Sequence, residues 1–363
     1  MSGTSLDGVD GVLAAFDAGG GLQLKGHHHE PFGDALRSEL VALNAPGDDE
    51  LHRAALAANA VARAYASVVT TLLYESSTAA RDVRAVGAHG QTVRHRPGEF
   101  DGTGYTCQLL NGALLAESTG IDVVCDLRSR DVAAGGQGAP LAPAFHAGVF
   151  GHANEARAVL NLGGIANLSL LEPGRPVVGF DSGPANALMD AWCLRHRGEA
   201  FDAEGAWAAS GQVQPELLAA LLAEPYFALS PPKSTGRDLF HMDWLETRLA
   251  GLGRPATAAD VQATLAILTV ESVALELERH APGVRALFVC GGGARNTHLL
   301  RQLASRLPQV RVSTTAELGL PVDQVEAAAF AWLAHRFVER RSGNLPEVTG
   351  ARGLRLLGAL YPA

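Results

Sequence analysis

Four short segments set glycines and small hydroxyl or amide residues against an apolar run: Gly3-Thr4-Ser5-Leu6-Asp7-Gly8, Asn161-Leu162-Gly163-Gly164-Ile165-Ala166-Asn167, Asp181-Ser182-Gly183-Pro184-Ala185-Asn186 and Gly291-Gly292-Gly293-Ala294-Arg295-Asn296. Phosphate oxygens need several N–H donors converging at short range, and glycine lets a backbone come that close. The pattern predicts a nucleotide as ligand. Its contacts are expected from Gly3, Thr4, Ser5, Asp7 and Gly8, then Asn161, Gly163 and Gly164, and finally Gly291, Gly292, Gly293 and Asn296. No G-x-x-x-x-G-K-[ST] occurs, and neither Lys25 nor Lys233 lies in a Gly-rich strand-to-helix turn, which argues against a Walker-type ATPase. Backbone amides, Mg²⁺ and an arginine must then meet the triphosphate charge. Any single loop is a weak signal, and Gly3 to Gly8 alone also reads as a plain hairpin turn between strands, since short glycine motifs recur by chance; the order of four is the stronger signal.

The acids near these loops divide by setting. Asp181 ends an apolar run and opens a Gly-Pro turn, a place from which a carboxylate projects, and is the candidate catalytic base. Its competing role is an N-cap for a helix beginning near Ala185. Asp7 follows a Thr-Ser pair and is the candidate Mg²⁺ ligand, directly or through water, because hard cations prefer oxygen; an Asx-turn is its alternative. For the second substrate the candidates are His89, Gln91, Arg128, Asp131 and Glu326. Arg128 offers a forked donor for a carboxylate and Asp131 an acceptor for a hydroxyl, unless the two simply form an ion pair. Glu326 opens a late helix, where a solvated carboxylate is the plainer role.

Short β-like runs alternating with long helical ones must position these loops, which predicts an α/β chain with central sheets. The strand-like runs are 9–16, 83–88, 105–110, 121–125, 158–162, 165–171, 177–180, 286–290 and 310–313. Leu51, Ala55, Ala58, Ala62, Tyr65, Val69 and Leu72 recur at three- and four-residue steps, so 49–75 is an amphipathic helix packed on a sheet. Thr257 and Asp260 have capping-box spacing for a helix running to about His280, before Pro282. Another helix begins near Asp323. The aperiodic Gly/Pro-rich stretch 126–143 reads as a connector and sets the domain boundary: 1–143 as the N-terminal domain, 144–363 as the C-terminal one. A β-run meeting a Gly-rich polar loop occurs on each side of that boundary, a weak internal echo.

Composition narrows the partners. The chain has 363 residues, enough for two cores, and 41 glycines, about 11% against an average near 7%. A net charge of −9 with only two lysines argues against a nucleic-acid surface. Cys107, Cys125, Cys193 and Cys290 lie far apart with no C-x-x-C pair, the pattern of free thiols in a reducing compartment. No apolar run of membrane length and no signal-peptide pattern is read, so a cytoplasmic chain without membrane contact is expected. His27-His28-His29 reads as a solvated turn.

Taken in series, Gly3 to Asp10, His89-Gly90-Gln91-Thr92, Asp126-Leu127-Arg128 with Asp131, Gly135 to Leu141, Asn161 to Asn167, Gly179 to Pro184 and Gly291 to Asn296 resemble the successive signatures of the anhydro-N-acetylmuramic acid kinase family. The likeness runs in order from the first residue to about Ala334. It implies two actin-like (ribonuclease H-like) ATPase domains around a nucleotide and sugar cleft, ATP and Mg²⁺ as cofactors, and a homodimer. It also implies an unusual activity in peptidoglycan recycling: the 1,6-anhydro bridge of the sugar is hydrolysed and the freed O6 phosphorylated in one reaction. The resemblance assigns Asp181 as base for the attacking water. One carboxylate suffices, because phosphoryl transfer removes the charge from the departing O6, where ordinary glycosidases need an acid and a base.

One departure stands out. In the family pattern a strand precedes the first phosphate loop, whereas this sequence opens at Met1; the first hairpin is expected to lack its leading strand, through a late-assigned start or a truncation, and to expose an edge. Two other readings compete. One is a simple hexose or N-acetylhexosamine kinase of the same fold, in which Asp181 deprotonates a hydroxyl. The other is a nucleotide-dependent sugar sensor without turnover. Closure of the two domains on ligand is expected in either case.

Overall fold

The computed structural model describes every residue except Thr4, Ala18, Gly20, Arg237 and Arg254. Thr4, expected in the first phosphate loop, thus lies outside the described residues.

The chain divides into two compact units, Met1–Val149 with Gln324–Ala363, and Phe150–Asp323. The first contains β1 (Gly8–Phe16), β2 (Leu22–Pro31), α1 (Asp34–Ala42), α2 (Glu50–Glu75), β3 (Val86–Gly87), β4 (Gln91–Pro97), β5 (Gly104–Leu109), α3 (Gly112–Thr119), β6 (Val123–Cys125), α4 (Ser129–Ala133) and α5 (Ala142–Phe150), which ends at the boundary. The second contains β7 (Arg157–Leu162), β8 (Ile165–Leu171), β9 (Val178–Pro184), α6 (Asn186–Arg197), α7 (Ala206–Ser210), α8 (Pro215–Leu222), α9 (Met242–Ala250), α10 (Ala258–His280), β10 (Ala286–Cys290), α11 (Thr297–Arg306) and β11 (Arg311–Thr314). The chain then returns to the first unit with α12 (Val325–Val338), α13 (Pro346–Thr349) and β12 (Ala359–Tyr361).

This return corrects the sequence-based division at 143/144, which gave residues 324–363 to the second half. α12 belongs with β1 and β3, and β12 pairs antiparallel with β6, Leu360 opposite Val124. Pairing partners so distant in sequence leave no mark in local periodicity.

The second unit is built on one five-stranded mixed sheet, ordered β11-β10-β7-β8-β9. β7, β8 and β9 form an antiparallel meander, while β10 and β11 run parallel to β7. Its core gathers Leu160, Leu168, Phe180, Phe240, Leu265 and Leu268. The first unit carries three smaller sheets, β1-β2, β12-β6-β3 and β4-β5, over a core including Val9, Leu40, Val61, Tyr65, Leu115 and Val123. The α/β class read from the sequence is the class observed.

Several local readings shift. The His27–His29 run is not a turn: it lies in β2, with His29 opposite Asp10 and both His27 and His29 reaching Asp10 Oδ1, at 3.4 and 3.0 Å. The connector 126–143 contains α4 and the start of α5. α2 forms as expected, but it buries Ala57, Val61, Ala62, Tyr65, Val68 and Leu72 and leaves Leu51 exposed, so the apolar stripe is rotated from the one read along the sequence. Thr257 caps α10, its hydroxyl oxygen accepting from the Asp260 N–H at 3.2 Å. α2 and α10 are also long and apolar enough to cross a membrane, contrary to the expectation of no such run. Both are packed elements, with fourteen α10 residues buried and α2 seated on the β1-β2 sheet, which is the ordinary reason for such composition in a core helix.

Candidate active site

Asp181 is placed by sheet register. Cys290 pairs with Asn161, Asn161 with Asn167, and Asn167 with Asp181, a row crossing β10, β7, β8 and β9. Directly opposed residues share a sheet face, so the two amides and the carboxylate stand side by side. The ladder shifts beside this row: Ala166 opposes Gly183 while Asn167 opposes Asp181, leaving Ser182 as an extra residue on β9. Such a bulge re-aims the neighbouring side chain.

The sequence placed Asp181 at a strand end; β9 instead continues through it to Pro184. The N-cap alternative fails too, because Ala185 occupies that position of α6 and no side chain caps it.

The Asp181 carboxylate is held from both sides. Oδ1 accepts from the Asn167 amide, and Oδ2 accepts from the Thr235 backbone N–H at 2.9 Å. Its backbone is fixed as well: the N–H donates to the Lys233 carbonyl at 3.2 Å, and the carbonyl accepts from the Tyr226 hydroxyl at 2.7 Å. Burial raises its pKa above the ordinary aspartate value, against opposing effects of the Thr235 N–H, Asn167 and Lys233. The ammonium of Lys233 is engaged elsewhere, 2.9 Å from Glu276 Oε1 with both side chains 2% exposed, which limits how far it depresses Asp181. The result is a fixed carboxylate with enhanced proton affinity, the property wanted in a general base.

The glycine loops of this unit meet beside that row. Gly163 and Gly164 turn the β7–β8 hairpin, and their carbonyls accept from the N–H groups of Asn186, Ala185 and Ala187 at the start of α6. Gly291 has φ +78°, and a Cβ there would lie 2.2 Å from Asn161 Oδ1; one at Gly293 would lie 2.6 Å from Leu162 Cβ. Only glycine permits this approach. Asn161, Gly163, Gly164, Gly291, Gly292 and Gly293 therefore form one neighbourhood. Asn296 has a local role, capping α11 by accepting from the Leu299 N–H at 3.0 Å.

In the first unit, the remaining candidates converge on the residues that open the chain. His89 is buried, its Nδ1 3.0 Å from the Ser2 carbonyl, and its Nε2 accepts from Arg128 Nε at 3.0 Å. Those partners require the tautomer protonated at Nδ1. Burial, and then the adjacent guanidinium, hold the ring well below its ordinary pKa, so it is neutral. Gln91 donates from Nε2 to the Gly3 carbonyl at 3.0 Å, while its buried Oε1 has no protein partner among the described residues. His89 and Gln91 thus brace the first loop and Arg128.

Arg128 and Asp131 do not pair with each other; both clamp Gly138. Arg128 Nη1 donates to its carbonyl and Asp131 Oδ2 accepts from its N–H, each at 2.8 Å. Asp131 is fully buried, its Oδ1 accepting from Asn344 Nδ2 at 2.7 Å and Thr349 Oγ1 at 2.8 Å. This corrects its assignment as a sugar contact: three internal donors occupy it. Arg128 keeps its charge, burial lowering its pKa only to about 10, with Glu326 opposing that shift. Glu326 itself is exposed in the first turn of α12.

Asp7 is exposed, and its Oδ1 accepts from Ser5 Oγ at 2.7 Å. No group of three or more His, Cys, Asp or Glu side chains suited to a metal occurs among the described residues. One carboxylate plus substrate phosphates is a common way to hold Mg²⁺, and Asp7 fits that mode rather than an all-protein cage. Gly8 is required where β1 leaves β2: a Cβ there would lie 2.2 Å from the Glu30 carbonyl oxygen.

Thr235 and Tyr226 were missed in the sequence, Lys233 was named only in setting aside a Walker-type lysine, and Asn167 and Asn186 were noted only within their motifs. One signal was available: Lys233 is one of two lysines and sits in the polar run Pro231-Pro232-Lys233-Ser234-Thr235-Gly236.

Comparison with known proteins adds three findings. A sequence model of one family, described as anhydro-N-acetylmuramic acid kinase, matches residues 1–363. Relatives bearing that name include proteins of Variovorax paradoxus, 60% identical over 100% of this chain and 98% of theirs, and of Cupriavidus metallidurans, 57% identical over 100% and 96%. Among solved structures, the activator of the 2-hydroxyisocaproyl-CoA dehydratase from Clostridium difficile with bound ADPNP aligns over 92% of this chain and 96% of that one, at 13% identity and a TM-score of 0.44. A ROK hexokinase from Thermus thermophilus aligns over 90% and 100%, at 14% identity and a TM-score of 0.35.

Proposed function

The chain belongs to the anhydro-N-acetylmuramic acid kinase family, and from that premise we propose that Asp181 is the base of an ATP-dependent kinase that opens the 1,6-anhydro ring of its sugar by hydrolysis while phosphorylating O6. The observation carrying this reading is the Asp181 carboxylate, fixed by Asn167 and the Thr235 N–H and raised in pKa by burial, beside the glycine loops of its own unit.

Asp181 takes a proton from water as the water oxygen attacks C1. The C1–O6 bond breaks and O6 takes the γ-phosphoryl, leaving ADP, a C1 hydroxyl and a 6-phosphate. Fixing the carboxylate in advance lowers the entropic part of the barrier. The backbone at Gly163–Gly164 and Gly291–Gly293 carries the nucleotide, with Gly3, Ser5 and Gly8 contributing phosphate contacts. Asp7 is the residue that would hold Mg²⁺, whose chemistry is to neutralise charge on the phosphates. Arg128, a half-buried cation braced by His89 and the Gly138 carbonyl, recognises the lactyl carboxylate of the sugar.

Replacing Asp181 by Asn tests the base. Turnover is expected to fall by about 10²- to 10⁴-fold, the usual worth of a general base, with ATP affinity unchanged in a separate binding measurement. Near-normal turnover would remove the assignment. In ¹⁸O water, label is expected on C1 of the product and none on O6; a product without label at C1 would leave a simple hydroxyl kinase.

A further inference from the structure

Three of the four groups that hold Asp181 come from one irregular stretch of chain: the Tyr226 hydroxyl, the Lys233 carbonyl and the Thr235 N–H. Tyr226 lies in the short turn Pro225–Ala228, and among the described residues no helix or strand follows before α9 begins at Met242. Within 229–235 the Leu229 N–H donates to the Tyr226 carbonyl, and the other backbone groups bonded among the described residues, the Lys233 carbonyl and the Thr235 N–H, are those on Asp181 itself. A segment bonded so sparsely does not fix a donor unaided.

Its buried anchor is Lys233. The ammonium donates to Glu276 Oε1 at 2.9 Å and to the Tyr226 carbonyl at 3.4 Å, and it lies 4.8 Å from the centre of the Tyr226 ring. Glu276 stands near the end of α10, with Arg279 Nη1 3.6 Å from its Oε1 and His280 Nε2 3.3 Å from its Oε2. Arg279 in turn donates to the Phe227 carbonyl at 2.7 Å. Thr269, Ser272 and Glu276 fall at three- and four-residue steps, so one face of α10 carries all three. Thr269 Oγ1 donates to the Pro184 carbonyl at 3.0 Å, and a Cβ at Gly183 would lie 2.6 Å from Phe227 Cε1 and 3.3 Å from Ser272 Cβ. That face follows the end of β9 and reaches, at Glu276, the segment that grips Asp181.

Stability alone does not account for a pair buried this fully: desolvation offsets the attraction, and apolar side chains of similar volume often hold such a place as well. What the charges add is direction, because a buried ammonium must sit on its counter-charge. We infer that Glu276 is a positioning residue for the base: by fixing the Lys233 ammonium on α10, it sets the 229–235 segment so that the Lys233 carbonyl and the Thr235 N–H meet Asp181. The inference rests on the reading of Asp181 as the base. Glu276 acts through those two backbone groups, one on the Asp181 main chain and one on its Oδ2.

The test measures Glu276→Gln in two backgrounds, the native chain and Asp181→Asn, at a temperature well below each Tm. In the native chain kcat is expected to fall by about 10- to 100-fold, the scale of a misplacement near 1 Å, with the KM for ATP changed by less than about threefold. In Asp181→Asn the residual turnover is expected to change by less than about twofold, because a residue that acts through Asp181 has nothing left to position. Equal losses in the two backgrounds would overturn the inference, since a purely structural residue costs the same in both, and so would an unchanged kcat in the native chain. Near-normal turnover of Asp181→Asn by itself would remove the base and this inference with it, which separates the failure of that reading from the failure of this one. Should Glu276→Gln not fold, Lys233→Met combined with Glu276→Met leaves no unpaired buried charge and is measured in the same two backgrounds. Methionine fills the space without fixing the segment, so the same pattern is expected, and equal losses again overturn the inference.

Discussion

Asp181 stands in a row whose members the sequence spreads over 130 positions, and its proton affinity is the balance of burial against three opposing groups. Removing one opposing group should move that balance in a known direction. Asn167→Ala takes away a donor that favours the ionised form, so the acid limb of kcat/KM is expected to shift to higher pH, with the ATP KM little changed; an unmoved limb would mean the titrating group is elsewhere. The linkage sign is also fixed. A carboxyl whose folded pKa is raised contributes stability below its unfolded pKa and loses it as pH rises through the folded value. Asp181→Asn should therefore remove this loss of Tm with rising pH while lowering turnover by the factor of about 10² to 10⁴ expected above. The residue types were legible, since glycines, asparagines and an aspartate in Gly-rich turns announce phosphate and proton chemistry. The partners of Asp181 were not, because Thr235 and Lys233 reach it only through folding of a loop more than 50 residues away.

At the scale of elements, the 126–143 stretch shows how a functional expectation and a structural role can exchange places. Asp131 lies in α4 and holds the Gly138 N–H, Asn344 and Thr349, tying that helix to the segment following α12. Asp131→Ala would strand three buried donors, and a loss of about 3 kcal/mol or more is expected in chemical denaturation. The sugar KM of the remaining folded protein should stay near the original. A raised KM with unchanged stability would restore the substrate contact. Periodicity found α2 and α10, and capping chemistry found the start of α10, because these signals are local. β2, β4 and β12 escaped notice: β2 and β4 pair in hairpins with β1 and β5 but are too polar to show an apolar run, and β12, only three residues long, pairs with the distant β6.

For the molecule as a whole, buried neutral histidines set the acid response. Burial lowers His146 to about 3, and His89 lies well below its ordinary value. Below about pH 6.5 the unfolded chain binds protons there that the folded chain does not, so stability falls as pH is lowered; the Met1 amine acts in the same direction between about 8 and 5. Tm is expected to decline from pH 8 toward 5, and His146→Gln should reduce the slope below pH 6.5 by up to one proton, about 1.4 kcal/mol per pH unit. An unchanged slope would show that His146 does not contribute. By itself the sequence determined the class of fold and the kind of ligand and supplied the base proposed above, because glycine clusters, apolar periodicity and acid placement are properties of residues and their near neighbours. Only the tertiary structure decided that residues 324–363 return to the first unit and that Asp131 is internal. Each of those outcomes depends on which distant backbones pair, and pairing is settled by burial and register across the whole chain.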